Sequence, residues 1–163
     1  NGGQGRDKLV GGNGGDTLTG GGGKDRLIGG SGKDRLYGNN GSDRLYGSSG
    51  NDRLYGNNGN DRLYGDDGND KLFGEAGNDW LTGGLGNDQL TGGAGGDTFY
   101  ISTGVGRDVI TDYGTGNDRI RLLGGLTESD LTINQAGANV QIKYEGDLMA
   151  IVQDTLIADI TFI

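Results

Sequence analysis

The sequence contains no cysteine, no histidine and no proline in its 163 residues. Without cysteine and histidine it has no disulfide bonds, no thiolate or imidazole metal ligands, and no Cys or Ser–His nucleophile. No run of about 18 apolar residues occurs, so we expect no membrane insertion. Repeat sequence already begins at the second residue, so we also expect no N-terminal signal peptide.

Apolar side chains are also few. The residues A, V, I, L, M, F, W, Y and C make up 31% of the chain, whereas a typical globular domain is roughly 45–50% apolar with glycine included. A conventional core along the whole chain is therefore excluded. Glycine is abundant instead, with 39 residues, and the formal net charge is −9. This balance argues against a nucleic-acid partner, and the dominance of Asp, 20 of the 23 acidic residues, points to a cation.

Residues 2–100 form eleven consecutive nonamers with no insertion or deletion. Every nonamer has Gly at position 1, Gly at position 4 and Asp at position 6. Position 8 is Leu in ten nonamers and Phe99 in the last. A fixed period of this kind predicts one structural unit that stacks on itself.

Each nonamer divides into a turn and a short strand. The first six residues form the turn, in which the glycines supply positive φ angles that other residues resist. The last three residues, such as residues 44–46, form a strand whose Leu points inward. Two consecutive nonamers then close one coil, with one turn and one strand on each side. We therefore predict an all-β fold, a right-handed parallel β-roll, which is a β-solenoid with two nonamers per coil.

Apolar burial alone does not fold such a roll. One inward side chain per nonamer offsets little of the conformational entropy that the other residues lose. Stacked Asp side chains also repel one another at the strand spacing of about 4.8 Å. Calcium supplies the missing attraction, because it takes about 6–8 oxygen ligands and each turn offers carbonyl oxygens beside a carboxylate. The sequence therefore predicts a repeat region that is disordered without calcium.

The nonamer resembles the G-G-x-G-x-D-x-U-x repeat of the RTX (repeats-in-toxin) calcium-binding family over residues 2–100. The resemblance implies that one turn contributes its Asp and the carbonyls of positions 2 and 4. The turn two nonamers later contributes its Asp and the carbonyls of positions 1 and 3. The residues of one implied site are Asn39, Gly41, Asp43, Gly56, Asn58 and Asp61. The residues of its neighbour on the opposite edge are Ser48, Gly50, Asp52, Gly65, Asp67 and Asp70.

Carried over all eleven nonamers, the resemblance implies about nine calcium ions, between nonamers 1 and 3 up to 9 and 11. The implied carboxylate ligands are Asp7, Asp16, Asp25, Asp34, Asp43, Asp52, Asp61, Asp70, Asp79, Asp88 and Asp97. The implied carbonyl ligands are Gly3, Gly5, Gly12, Gly14, Gly20, Gly21, Gly22, Gly23, Gly29, Gly30, Ser31, Gly32, Gly38, Asn39, Asn40, Gly41, Gly47, Ser48, Ser49, Gly50, Gly56, Asn57, Asn58, Gly59, Gly65, Asp66, Asp67, Gly68, Gly74, Glu75, Ala76, Gly77, Gly83, Leu85, Gly92 and Ala94.

The resemblance also implies a biological setting. RTX β-rolls are C-terminal portions of bacterial proteins exported by type I secretion, such as proteases, lipases, cytolysins, epimerases and adhesins. We therefore expect a module that is not an enzyme by itself and that folds on calcium after export. The implied partners are calcium and the type I secretion apparatus, the implied location is extracellular or at the cell surface, and the expected state is a monomer. Two alternatives stay open: an adhesive or glycan-binding module, and an accessory module of a secreted enzyme.

After residue 100 the repeat becomes degenerate and then ends. Residues 103–111 and 113–121 keep the spacing of Gly and Asp after insertions of two residues and one residue, so residues 101–121 could complete a tenth or eleventh site. Residues 140–145 alternate as a half-buried strand does, and residues 148–152 and 160–163 are interpreted as further strands. We predict that residues 122–163 cap the roll. Their ending, residues 159–163, resembles a type I export signal.

Two further features have competing interpretations. Outward Arg and Tyr columns, as at Arg44 and Tyr46, favour cross-strand aromatic and cation–π packing, with binding of a sugar polymer as the alternative. The Asn residues at position 5 would suit ice binding only with a regular Thr at position 3, which is lacking. Asp112 and Asp118 have no cleft signature, so we interpret them as structural or calcium-linked rather than catalytic.

Overall fold

The computed structural model describes residues 1–103, 106–114, 116–155 and 157–163. The secondary structure of these residues is almost entirely β, with two single-turn 3-10 helices at Glu128–Asp130 and Ile157–Asp159. The strands are β1 Gly3–Gly5, β2 Lys8–Asn13, β3 Thr17–Gly23, β4 Arg26–Ser31, β5 Arg35–Asn40, β6 Arg44–Ser49, β7 Arg53–Asn58, β8 Arg62–Asp67, β9 Lys71–Ala76, β10 Trp80–Leu85, β11 Gln89–Ala94, β12 Thr98–Ile101, β13 Asp108–Ile110, β14 Arg119–Leu122, β15 Leu131–Ala136, β16 Asn139–Tyr144 and β17 Asp147–Val152.

Alternate strands lie in two parallel sheets. The odd strands β1–β13 stack in one sheet and the even strands β2–β14 in the other. Through the nonamers each strand residue pairs with its equivalent two nonamers later, so that Leu36 lies beside Leu54 and Leu45 beside Leu63. The prediction of an all-β parallel solenoid with two nonamers per coil is therefore confirmed.

The strands are longer than the sequence predicts. β6 spans six residues, Arg44–Ser49, and not the three residues 44–46. Positions 1–3 of the next nonamer stay paired with the neighbouring coil, as Ser48 does with Asp66. Position 2 nevertheless takes a positive φ, 80° at Ser48 and 76° at Glu75, so the chain begins to turn while it is still paired. The turn and the strand overlap by three residues in each nonamer.

The core is a single row of inward side chains in each sheet. The Leu residues of position 8 from Leu27 to Leu90, together with Phe99, are 0% exposed. Leu9 and Leu18 are only partly buried, because they belong to the first coil and have a neighbouring coil on one side only. The inward orientation predicted for position 8 is confirmed, and burial of this row depends on stacking.

The C-terminal segment extends the stack at the end opposite to β1. β17 pairs in parallel with β13, and β16 and β15 continue the same sheet in antiparallel order. On the other sheet, Phe162 makes a single bridge to Ile120. The strands expected near residues 140–145 and 148–152 are present. The strand expected at residues 160–163 is absent, because that segment pairs through one residue only, and β15 has no counterpart in the sequence prediction.

Candidate metal centre

The Asp residues of position 6 form two columns, one along each edge of the roll. In each column the backbone N–H of one Asp donates to Oδ1 of the equivalent Asp in the next coil. Asp25 donates in this way to Asp43, and Asp43 to Asp61, both at 2.7 Å. From Asp25 onward these side chains are almost completely buried, with 1% exposure at Asp43 and Asp61, whereas Asp7 and Asp16 in the first coil are half-buried. Each carboxylate is thus directed toward the preceding coil and has one oxygen satisfied by a backbone amide.

The second carboxylate oxygen of every column residue has no partner. Eleven buried Oδ2 atoms accept no hydrogen bond, those of Asp7, Asp16, Asp25, Asp34, Asp43, Asp52, Asp61, Asp70, Asp79, Asp88 and Asp97. A buried polar atom without a partner is rare in proteins, and a buried carboxylate oxygen is the most costly kind. A row of eleven such atoms indicates a set of ligands for cations rather than a set of unrelated defects.

The glycines of position 1 leave room for these oxygens. A Cβ added to Gly38 would lie 2.5 Å from Oδ2 of Asp43 and 2.8 Å from the carbonyl oxygen of Gly56, and at Gly47 the corresponding atoms are Oδ2 of Asp52 and the carbonyl oxygen of Gly65. An Asp of one turn and a carbonyl of the turn in the next coil therefore face the same small space. A side chain at position 1 would fill that space.

Nine positions carry this pair of oxygens among the nearest atoms. They are Gly2, Gly11, Gly20, Gly29, Gly38, Gly47, Gly56, Gly65 and Gly74. At Gly83 and Gly92 the nearest atoms belong only to Asp88 and Asp97. The nine spaces lie between the pairs of nonamers that the sequence prediction matched, from 1 and 3 to 9 and 11.

The remaining predicted carbonyls face the same gap between coils. A Cβ on Gly59 would overlap the carbonyl oxygen of Gly41, so the position 4 carbonyl points toward the later turn. The position 2 carbonyl also points toward the later turn, because the carbonyl oxygen of Asp66 would overlap a Cβ on Gly84. The position 3 carbonyl points back, because that of Asn58 accepts the N–H of Gly41 at 2.8 Å. Carbonyls and carboxylates of two stacked turns thus converge as a hard cation requires.

The glycine of position 1 is needed for a different reason from the one the sequence suggests. The glycines with positive φ occupy positions 2 and 4, as at Gly21 and Gly41, whereas Gly20 and Gly38 do not belong to this set. The expectation that all the glycines supply positive φ is therefore wrong for position 1. Space for the carboxylate, and not backbone freedom, requires glycine there.

Burial makes the ionised form of the column carboxyls costly. Desolvation is the largest cause, and it raises the pKa of Asp61, Asp70 and Asp79 to about 7 and that of Asp97 to about 6. The charge of a stacked Asp raises these pKa values further, while the backbone N–H bond lowers them. A column of ionised carboxylates is therefore unfavourable unless positive charge is placed beside it.

The two degenerate repeats continue the columns but change the turn. Asp88 donates its N–H to Asp108 at 3.2 Å, and Asp97 donates to Asp118 at 2.9 Å. Oδ2 of Asp118 accepts the N–H of Gly114 at 2.8 Å and is satisfied, unlike the eleven earlier Oδ2 atoms. Residues 104, 105 and 115 of these turns lie outside the described residues. The described atoms thus do not repeat the arrangement of the nine spaces.

Asp112 also contacts backbone rather than a cleft. Its two carboxylate oxygens accept the N–H groups of Gly92 at 2.9 Å and Gly93 at 2.7 Å. Within the described residues there is no cluster of three or more Asp, Glu, His or Cys side chains suited to a metal. Any metal between the coils would be held by carboxylates together with main-chain carbonyls.

The outward aromatic side chains pack against one another. Tyr37, Tyr55 and Phe73 stack with centroids 4.9 and 5.0 Å apart and interplanar angles of 7° and 8°. Tyr46 and Tyr64 stack on the other sheet at 4.9 Å. Cross-strand packing, the interpretation favoured for these columns, is confirmed. The ring faces within each stack are covered by the next ring.

Comparison with known proteins adds a family and two similar structures. The family model of the RTX calcium-binding nonapeptide repeat (4 copies) matches residues 1–36, 37–72 and 64–99. No curated protein matches the chain. The chain is similar to the extracellular lipase LipA from Serratia marcescens, with 16% identity and a TM-score of 0.49 over 95% of this chain and 39% of the lipase chain.

The second structure is the AlgE6R3 subunit of the mannuronan C5-epimerase from Azotobacter vinelandii. The identity is 25% and the TM-score 0.31, over 74% of this chain and 77% of that chain. The present chain therefore spans less than half of the lipase chain and about three quarters of the epimerase subunit. No helix among the described residues is long and apolar enough to cross a bilayer.

Proposed function

Because the chain belongs to the family of RTX calcium-binding nonapeptide repeats, we propose that it is a module whose folding is driven by calcium bound between its stacked turns. Repeats of this family bind calcium and form a structural module that is not catalytic in itself. The observation that carries the proposal is the row of eleven buried, unpartnered Oδ2 atoms. Nine of them share a space with a carbonyl oxygen of the next coil, so about nine ions are proposed.

The proposed ligands are those that the resemblance to the RTX repeat implies. In the gap between residues 38–43 and 56–61, the earlier turn offers Oδ2 of Asp43 and the carbonyl of Gly41. The later turn offers the carbonyls of Gly56 and Asn58 and the carboxylate of Asp61. With the position 2 carbonyl the set reaches six oxygens, within the range of about 6–8 that calcium takes.

The chemistry of the module is electrostatic. Calcium, when bound, supplies the positive charge that the desolvated carboxylates require. Each column residue from Asp25 to Asp79 contributes to the spaces before and after it, because its Oδ1 accepts from the preceding coil and its Oδ2 faces the space shared with the following coil. Filling one space therefore fixes a carboxylate of the next, and folding and binding should proceed together.

The biological role is proposed from the family setting. RTX repeats occur in secreted bacterial proteins, and we assign this chain to the extracellular part of such a protein. It would remain unfolded where calcium is scarce, leave the cell through a type I secretion apparatus, and fold outside. Its parallel β17–β13 pairing supports a capping role for residues 122–163, because the last coil is covered there by non-repeat strands.

A glycine substitution tests the proposed ligands directly. Gly38→Ala places a methyl group in one calcium space without a conflict in φ. Ser42→Ala, in the same turn but outside the proposed ligand set, is the matched control. We expect metal analysis to find about nine calcium ions per chain in the parent protein and in Ser42→Ala, and fewer in Gly38→Ala, with a higher calcium midpoint by circular dichroism. An unchanged metal content and midpoint in Gly38→Ala would contradict the ligand assignment.

A further inference from the structure

The even-strand sheet carries a groove lined by cations. Two adjoining cavities of about 430 and 410 Å³ lie along its outer edge and share Lys24 and Arg44. The cations that line them are Arg6, Lys8, Lys24, Arg26, Arg44 and Arg62. They come from four successive coils, so at the strand spacing of about 4.8 Å the cationic part of the groove is about 14 Å long.

These six cations are free to bind an anion. None of them forms an ion pair with any described residue, and all but the half-buried Arg62 are exposed. The guanidinium of Arg26 lies 4.9 Å from the ring centroid of Tyr46, and that of Arg62 lies 4.2 Å from that of Trp80. Stacking on a ring holds a guanidinium in place and leaves its N–H groups directed outward.

The acidic residues in the groove do not cancel this charge. Asp7, Asp25, Asp43 and Asp61 line the same cavities. The last three are only 1–2% exposed, Asp7 is half-buried, and the Oδ2 atom of all four is buried between the coils. In the calcium-bound roll their charge is compensated from within. Nine bound ions would also reverse the sign of the formal charge of −9. The groove therefore becomes strongly positive only in the calcium-folded protein.

We propose that this groove binds a linear acidic polysaccharide, one that carries a sulfate or carboxylate group on successive sugar residues. An extended polymer fits a straight groove, and one coil advances by about the length of one sugar residue, so guanidinium groups and anionic groups can match along the chain. This inference rests on the proposed function, because it requires the calcium-folded roll.

A single-stranded nucleic acid fits the groove less well. Such ligands are bound largely by base stacking on free aromatic faces. Here Tyr46 lies between the guanidinium of Arg26 and the ring of Tyr64, and Trp80 lies between Arg62 and Tyr100. Of the two rings that line the groove, only Trp80, which is 41% exposed, keeps substantial free area, and a single ring cannot stack successive bases. The cations remain as the recognition groups, which suits a polymer whose charges lie on its sugars.

The test compares two double variants at saturating calcium. Arg26→Gln with Arg44→Gln removes two groove cations, and Arg35→Gln with Arg53→Gln removes two cations at the same repeat position of the odd-strand sheet. Both variants change the net charge equally. With dextran sulfate as the probe and uncharged dextran as the blank, we expect the groove variant to bind at least about tenfold more weakly and the control variant to stay within about twofold of the parent protein.

Several outcomes would overturn the proposal. Equal weakening of both variants would show attraction to net charge alone, and no binding of dextran sulfate would show that the groove takes no acidic polysaccharide. Tighter binding of an oligothymidylate, or of vesicles containing phosphatidylglycerol, would reassign the groove to another partner. Circular dichroism in the same buffer separates these results from a failure of calcium-dependent folding, which would instead contradict the proposed function.

Discussion

The repeat region, residues 2–100, and the C-terminal segment, residues 122–163, contrast in what holds them together. The repeat region buries one apolar side chain per nonamer from the third nonamer onward, and eleven carboxylate oxygens without partners. The C-terminal segment buries Val140, Ile142, Met149, Ala150 and Val152 over three antiparallel or parallel pairings. No unpartnered buried side-chain oxygen or nitrogen is found in its described residues. The repeat region thus holds the carboxylate oxygens for which we propose calcium, whereas the C-terminal segment has an ordinary apolar core.

Under the proposed function, a chain with 31% hydrophobic residues would have two states. A roll whose core is too thin to fold alone would be sensitive to calcium, because ion binding would decide the folding equilibrium. A segment with its own core can cover the last coil and offer it a neighbour, as terminal caps do in repeat proteins. We therefore propose that the calcium-sensitive repeats and the segment that nucleates their folding lie in separate parts of the sequence.

Removal of calcium should have the largest effect on the fold of the repeat region. We expect the metal-free protein to lose most of its strand signal in circular dichroism, since the carboxylate columns are then uncompensated. Calcium should restore the signal in a sigmoidal titration with a Hill coefficient well above one. Magnesium, which is smaller and dehydrates reluctantly, should not replace it. Full β-structure in the presence of a chelator would contradict a calcium-driven fold.

Deletion of residues 122–163 should have the next largest effect. It removes β15–β17 and exposes the last coil, so the calcium-induced transition should be lost or strongly weakened at millimolar calcium. Deletion of residues 2–19 is the control, because it removes one whole coil at the end that has no such cover. This second deletion should leave the transition in place with about two fewer ions bound. Equal effects of the two deletions would show that the C-terminal segment does not nucleate folding.

The pH dependence should differ between the metal-free and calcium-bound states. Burial raises the pKa of Asp61 and Asp79 to about 7 in the metal-free fold, against about 3.9 in an unfolded chain. The stability contributed by such raised groups is fully present below the unfolded pKa and is lost as pH rises through the folded pKa. Lowering the pH should therefore increase the stability of the metal-free roll.

Calcium binding should respond to pH in the opposite direction, because protonated carboxyls are poor ligands. We expect the calcium midpoint to rise as pH is lowered from about 7.5 to about 5.5. Circular dichroism in chelator and in calcium across this range measures both trends. A midpoint that is independent of pH would show that the column carboxyls are not the ligands.

The position of an Asp within its column should determine how much its substitution raises the calcium midpoint. Asp61 contributes to two of the proposed spaces, whereas Asp7, in the first nonamer, contributes to one. Asp61→Asn should therefore raise the calcium midpoint more than Asp7→Asn and reduce the cooperativity of the transition. Calcium titrations of the two variants test this ranking. Equal shifts would mean that the spaces fill independently of their neighbours.

The periodic part of the fold was predictable because every nonamer has the same pattern of glycine, aspartate and apolar positions. The invariant Gly, Asp and Leu positions were enough to predict the coil of two nonamers, the parallel register and the inward row that includes Leu45 and Leu63. The role of the position 1 glycine was not predictable, because it depends on where the Asp43 carboxylate lies relative to Gly38 in three dimensions. The pairing of β13 with β17 could not be predicted from the sequence either, because no repeat relates residues 108–110 to residues 150–152.

A substitution at the contact between the repeat region and the C-terminal segment should have the smallest effect on stability. The Tyr113 hydroxyl donates to the carbonyl of Asp118 at 2.9 Å and accepts the N–H of Thr161 at 2.8 Å, so it ties the end of the chain to the last coil. Tyr113→Phe keeps the buried ring, which is 7% exposed, and removes both hydrogen bonds. We expect a loss of about 1–3 kcal/mol in the free energy of unfolding at saturating calcium, because the Thr161 N–H is left without its partner.

Tyr100→Phe is the control for this substitution, because Tyr100 lies on an outward face and its hydroxyl makes no hydrogen bond to a described residue. It should change the free energy of unfolding by less than about 0.5 kcal/mol. Denaturant titrations of both variants at fixed calcium give the comparison. If Tyr113→Phe unfolds like the control, the tail is held by its apolar contacts alone. The calcium midpoint should then be insensitive to this contact, and the coupling between the two regions would have to run through the β13–β17 pairing.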